Sequence, residues 1–95
     1  MALSTNDKQR FQVHYSGRVQ GVGFRAILRE IAQAYAVQGF GKNLSSGQVL
    51  LVVEGQPAEL QSYLAAIAGR MGENLDRVEV VESPPTGEFS GFEIR

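Results

Sequence analysis

The order of hydrophobic periodicities predicts an α+β protein, a two-layer sandwich with two helices on one face of a mostly antiparallel sheet. Three observations carry this. Segments that alternate every second residue bracket two segments with helical spacing, and each helical segment follows one strand and precedes another. At 95 residues and 43% hydrophobic content, the chain suffices for one domain with a two-layer core and leaves no room for a second. Two crossovers packed on the same face give the order βαββαβ, the ferredoxin-like arrangement.

The elements follow in order. Met1 to Gln9 has no period, which marks residues 1–9 as a flexible N-terminal extension and leaves 10–95 as the domain. From Arg10 to Ser16, Phe11, Val13 and Tyr15 alternate with Gln12, His14 and Ser16, a half-buried strand that leaves His14 as a solvated histidine on the polar side. Phe24, Ile27, Leu28, Ile31 and Tyr35 then recur at helical spacing, with Arg25, Arg29 and Gln33 opposite; the helix is expected to end near Ala36. Val37 to Leu44 and Gly47 to Gly55 form a hairpin turning in Leu44-Ser45-Ser46-Gly47, and the apolar run Val49 to Val53 suits a central strand. Pro57 opens a second helix through Leu60, Tyr63, Leu64, Ile67 and Met71. A strand is expected at Arg77 to Glu82, and Phe92 to Ile94 makes a short last strand.

Composition removes several classes of function. A net charge of −1 gives no general attraction to nucleic acid or to an acidic membrane, and no apolar run approaches a membrane span. With no cysteine, disulfides, thiolate catalysis and cysteine-held metal are out, and a cytoplasmic location is the default expectation. Met1 to Arg10 is too polar for the apolar segment of a signal peptide.

The chemistry is concentrated in Ser16-Gly17-Arg18-Val19-Gln20-Gly21-Val22-Gly23-Phe24-Arg25, where a strand passes through glycines into a helix start. Unpartnered N–H groups and the positive end of the helix dipole attract an anion there, and glycine allows the backbone to turn and a ligand to approach. Arg25, in the first helical turn, adds a fork matched to phosphate oxygens. Gly21-Val22-Gly23-Phe24-Arg25-Ala26 also fits the loose dinucleotide pattern, but no acidic residue lies between Ile31 and Val53 to hold a ribose, and no Walker lysine follows the glycines. A pocket for a single phosphate group remains.

Around such a pocket stand Arg18, Arg25, Arg29, Lys42 and Asn43, with no histidine, cysteine or paired carboxylates in place to act as nucleophile or general acid, so a phosphoenzyme is not expected. Electrostatic stabilisation and a positioned water suffice where the leaving group needs no proton, a condition an acyl phosphate meets because a carboxylate departs. On composition alone, Asn43 is a turn-favouring asparagine.

Gly17-Arg18-Val19-Gln20-Gly21-Val22-Gly23-Phe24-Arg25, followed by Gly39-Phe40-Gly41-Lys42-Asn43-Leu44-Ser45-Ser46-Gly47-Gln48-Val49, resembles the paired signature of the acylphosphatases. The likeness runs from about Arg10 to Arg95 and includes a terminal Gly91-Phe92-Glu93-Ile94-Arg95. The resemblance implies that Arg25 holds the substrate phosphate beside amides of Arg18, Val19, Gln20, Gly21, Val22, Gly23 and Phe24, and that Asn43 orients the attacking water. It further implies hydrolysis of a small-molecule acyl phosphate, with inorganic phosphate as product, by a monomer that needs no metal or other cofactor. Gly41 and Ser46 depart from the family pattern, and glycine in the strand is expected to hold Asn43 less firmly.

Two rivals stand beside this expectation. A regulatory module could hold a phosphate or carboxylate in the same cradle without turning it over. An RNA-binding sheet would need exposed aromatics on central strands, and Val49 to Val53 has none. The family also includes domains of larger carbamoyl-transfer maturation proteins, whereas this chain is expected to stand alone.

Overall fold

Alternating apolar residues build a five-stranded sheet in which two crossovers place the strands in the order Leu75–Ser83, Gln9–Gly17, Val49–Gly55, Val37–Asn43, Phe92–Ile94. The computed structural model describes residues 7–95; the expected extension falls mostly outside the described residues. The elements are β1 (Gln9–Gly17), α1 (Phe24–Ala32), β2 (Val37–Asn43), β3 (Val49–Gly55), α2 (Pro57–Met71), a 3₁₀ turn (Gly72–Asn74), β4 (Leu75–Ser83) and β5 (Phe92–Ile94). β1 pairs antiparallel with β3 and β4, β2 pairs antiparallel with β3, and β5 runs parallel to β2. The ferredoxin-like βαββαβ fold is therefore present, and the run Val49 to Val53 occupies the central strand.

The core lies between the sheet and the helices. Val13 and Tyr15 of β1 and Leu51 and Val53 of β3 meet Leu28 of α1 and Tyr63 of α2 there. Tyr63 is fully buried, and its hydroxyl donates to the Leu28 carbonyl at 2.8 Å, tying the two helices together. His14 lies half-buried on the other face of β1, with Gln12 and Ser16.

α1 stops at Ala32, earlier than Ala36. The amides of Gln33, Ala34 and Tyr35 donate three residues back, to Glu30, Ile31 and Ala32, so the chain tightens into turns. Ala36 N–H then donates to Glu59 Oε1 at 2.7 Å, which takes up a donor the helix no longer needs. β4 is longer than Arg77 to Glu82, and as an edge strand it leaves Val78 and Val80 exposed.

The sheet face away from the helices is not bare. The connection from β4 to β5 crosses it, and Phe89 packs edge-on against Phe40 at 5.8 Å. The Arg95 guanidinium stacks 4.1 Å from the Phe40 ring centre. Buried Glu54 on β3 anchors this connection by accepting from Thr86 N–H, Thr86 Oγ1 and Gly87 N–H at 2.9 Å and from Arg10 at 3.0 Å. The one aromatic of β2 that an RNA-binding sheet would present is thus already covered.

Candidate active site

The strand register decides which loops meet. Val49, at the start of β3, sits opposite Tyr15 near the end of β1 and opposite Asn43 at the end of β2. β5 places Ile94 beside Gly41. The β1–α1 loop, the β2–β3 turn and the end of β5 consequently share one corner of the molecule.

Within that corner the loop bends through Gly21 and Gly23, at φ of +78° and +76°, a conformation that side chains other than glycine rarely adopt. Gly23 is the N-cap of α1 and offers no side-chain acceptor, and the first turn carries no acidic residue. The helix start is therefore left for an external anion to cap. Beneath the loop, Val19 is buried and Phe24 packs edge-on against Tyr15 at 5.1 Å, which fixes the loop to the core.

A cleft of about 190 Å³ opens above, lined by Val19, Gly21, Gly23, Phe24, Arg25, Ala26, Asn43 and Ile94. It brings Arg25 and Asn43 together from different elements, 18 positions apart in sequence. Arg25 is half-buried; one Nη1 N–H donates to the Arg95 main-chain oxygen at 2.8 Å. That contact orients the guanidinium and leaves its other N–H groups for an anion. Gly41 lies under the Arg25 stem: a Cβ there would stand 3.6 Å from Arg25 Cγ and 3.1 Å from Leu28 Cδ1.

The other loop residues divide. Arg18 is exposed, and its amide donates to the Asn74 main-chain oxygen at 2.8 Å while Asn74 Nδ2 donates back to the Arg18 carbonyl at 3.1 Å. That amide serves to hold the loop to the start of β4. The Val22 side chain is exposed to solvent. The Gln20 side chain turns toward the β2–β3 turn, where Nε2 donates to Leu44 and Gln48 carbonyls.

Sequence reasoning gave no role to Ala26 or Ile94. Ala26 follows Arg25 directly, and Ile94 belongs to the terminal motif Gly91 to Arg95, but only the parallel pairing of β5 with β2 brings it to the cleft. Among the described residues, no three or more His, Asp and Glu side chains gather in a group that could hold a metal ion, and no helix is long and apolar enough to cross a membrane.

Comparison with known proteins bears on the family and the fold. A family model described as Acylphosphatase matches residues 11–94. The chain is 41% identical over 91 residues to an acylphosphatase of a Synechococcus strain, covering 95% of this chain and 96% of the relative. It is 39% identical over 89 residues to an acylphosphatase of a Roseiflexus strain, covering 93% and 96%. The crystal structure of acylphosphatase from Bacillus subtilis superposes with a TM-score of 0.82 at 28% identity, over 92% of this chain and 98% of that one. Full-length HypF in its phosphate- and nucleotide-bound form matches 94% of this chain with only 12% of its own, at a TM-score of 0.79 and 32% identity.

Proposed function

The chain belongs to the acylphosphatase family, an enzyme that hydrolyses small-molecule acyl phosphates, and from that premise we propose how its own residues perform the reaction. The phosphoryl group docks against the loop amides from Val19 to Phe24 and the Arg25 guanidinium. Asn43 accepts from a water and aims it at phosphorus, opposite the bond to the acyl oxygen. A phosphorus–oxygen bond to the water forms as the phosphorus–oxygen bond to the acyl group breaks. The carboxylate leaves with the bonding pair, and both water hydrogens end on the dihydrogen phosphate formed.

The observation that carries this is the shared cleft, which places an uncapped helix start, a half-buried arginine and an asparagine around one space. Charge developing on the equatorial oxygens meets preorganised amides and a guanidinium, the arrangement that contributes most to phosphoryl transfer. The carboxylate needs no general acid. The enzyme acts as a monomer in this account, because one chain supplies every group named.

The test is the ultraviolet absorbance decay of benzoyl phosphate with purified protein in EDTA. The parent hydrolyses it at a rate unaffected by EDTA; loss of activity on chelation would show that a metal takes part. Arg25→Gln abolishes both phosphate binding and turnover, whereas Asn43→Ala keeps phosphate binding and lowers kcat. Equal loss of binding in the two variants would refute the division of roles. Phosphate binding without decay in the parent would instead make the cradle a binding module.

A further inference from the structure

The Gln20 side chain does something the cradle chemistry does not require. Half-buried in the middle of the loop, it extends its amide away from the glycines, and Nε2 donates to the Leu44 carbonyl at 2.7 Å and to the Gln48 carbonyl at 2.9 Å. An amide nitrogen carries two hydrogens, and both are used here. The two acceptors lie one residue beyond Asn43 on the turn side: Leu44 follows it directly in the chain, and Gln48 precedes Val49, which faces Asn43 across the β2–β3 ladder. Leu44 N–H itself donates to the Gln48 carbonyl at 2.8 Å, closing the turn that Gln20 grips.

Resting on the catalytic reading above, we propose that Gln20 is the positioning residue that sets the distance between the phosphate cradle and Asn43. The cradle and the turn belong to different elements, and the contacts of Gln20 span 24 and 28 residues. A second strut runs in parallel from β1 to the turn, where Gln48 Nε2 donates to Ser16 Oγ at 2.9 Å. In-line attack depends on the separation between the held phosphorus and the held water, and an error of about 1 Å costs up to roughly 100-fold in rate. The loop amides can bind phosphate without the Gln20 side chain, but the water-orienting group then loses its fixed distance from that phosphate.

The test is a double-mutant cycle on kcat. Gln20→Met keeps the shape of the side chain and removes both donors. It lowers kcat for benzoyl phosphate about tenfold or more, while the inhibition constant of inorganic phosphate changes by less than about threefold because anion binding is left in place. In an Asn43→Ala background the same substitution costs nothing further, since the group it positions is already gone. A merely structural role would instead lower kcat equally in both backgrounds, and that result, or an unchanged kcat in the parent background, overturns the proposal. An Asn43→Ala variant as active as the parent would fail the catalytic reading itself, and is seen separately from the Gln20 effect.

Gln20→Glu gives a second route should Gln20→Met not fold. Its ionised carboxylate faces two carbonyl oxygens and offers no donor, whereas the protonated form regains one. The kcat of Gln20→Glu relative to the parent therefore rises as pH falls through the carboxyl's titration. A flat ratio across that range overturns the proposal.

Discussion

Replacing Glu54 by glutamine tests the clasp that fixes the β4–β5 connection over the sheet. Glu54 is 4% exposed and accepts four hydrogen bonds, from two amides of the connection, the Thr86 hydroxyl and Arg10. Arg10 reaches on to Glu88 Oε1 at 2.9 Å, so β1 and β3 together grip residues 86–88 of the connection. Glutamine must turn an NH₂ toward groups that are themselves donors, which loses at least one bond to a charged acceptor at about 1.5–3 kcal/mol and leaves a partner unsatisfied. Breaking such a buried pair from one side costs about 3–5 kcal/mol, and near 3 kcal/mol is expected here because Arg10 keeps Glu88. At about 4–8 °C per kcal/mol for a domain of this size, thermal unfolding by circular dichroism falls by roughly 12–24 °C. The pH dependence supplies the sharper check. Burial pushes the Glu54 carboxyl upward, but the amides of Thr86 and Gly87 with Arg10 outweigh it, and the net shift is below the ordinary 4.5. A carboxyl depressed in the folded state adds stability above its unfolded value and loses it as pH falls through its folded value. The gap between parent and E54Q is therefore full at neutral pH and narrows on acidification below 4.5. A deficit under about 1 kcal/mol, or one that persists undiminished in acid, would refute the clasp.

Three further outcomes follow from the same geometry. Inorganic phosphate at about 100 times its dissociation constant stabilises the parent by roughly 2.7 kcal/mol, visible as a rise in melting temperature, and Arg25→Gln removes that rise. Tyr63→Phe deletes the hydroxyl bonded to the Leu28 carbonyl and costs about 1 kcal/mol in urea unfolding, with kcat retained because the cleft is untouched. Gly41→Val forces a side chain against Leu28 and the Arg25 stem, which costs about 1–3 kcal/mol from overpacking, offset by roughly 0.5–1 kcal/mol from the lost glycine freedom; it also weakens phosphate inhibition by displacing the guanidinium.

What the sequence showed is what local chemistry writes locally. The alternation in Phe11, Val13 and Tyr15, the apolar run through Val53 and Pro57 at a helix start each specify an element within a few residues, and each is present. The glycines before Arg25 are legible as a turn into a helix because positive φ and a helix start leave a local signature. Contacts between distant segments leave none. Nothing near Arg18 announces that Asn74, 56 residues away, takes its amide, and nothing near Glu54 announces Thr86. The end of α1 was misplaced for a related reason: Tyr35 continues the apolar stripe, but the backbone before it had already tightened into turns.

The departure at position 41 shows how a sequence difference changes meaning once neighbours are known. Taken along the strand, glycine adds freedom next to Asn43. In the sheet, Gly41 is buried between two partners, opposite Leu51 on β3 and beside Ile94 on β5, and its carbonyl accepts from Arg95 N–H at 2.8 Å. The ladder restrains its backbone from both sides, so the absent side chain matters through the space it leaves. That space lies under Arg25, the residue proposed to meet the phosphate, and beside Leu28 one helical turn further on. The glycine therefore bears on how the arginine sits over the sheet, while Asn43 takes its position from the ladder with Val49 and from the turn that Gln20 holds. Under the proposed roles, Arg25 and Asn43 are supported by separate contacts, which is why their variants are expected to fail in different ways.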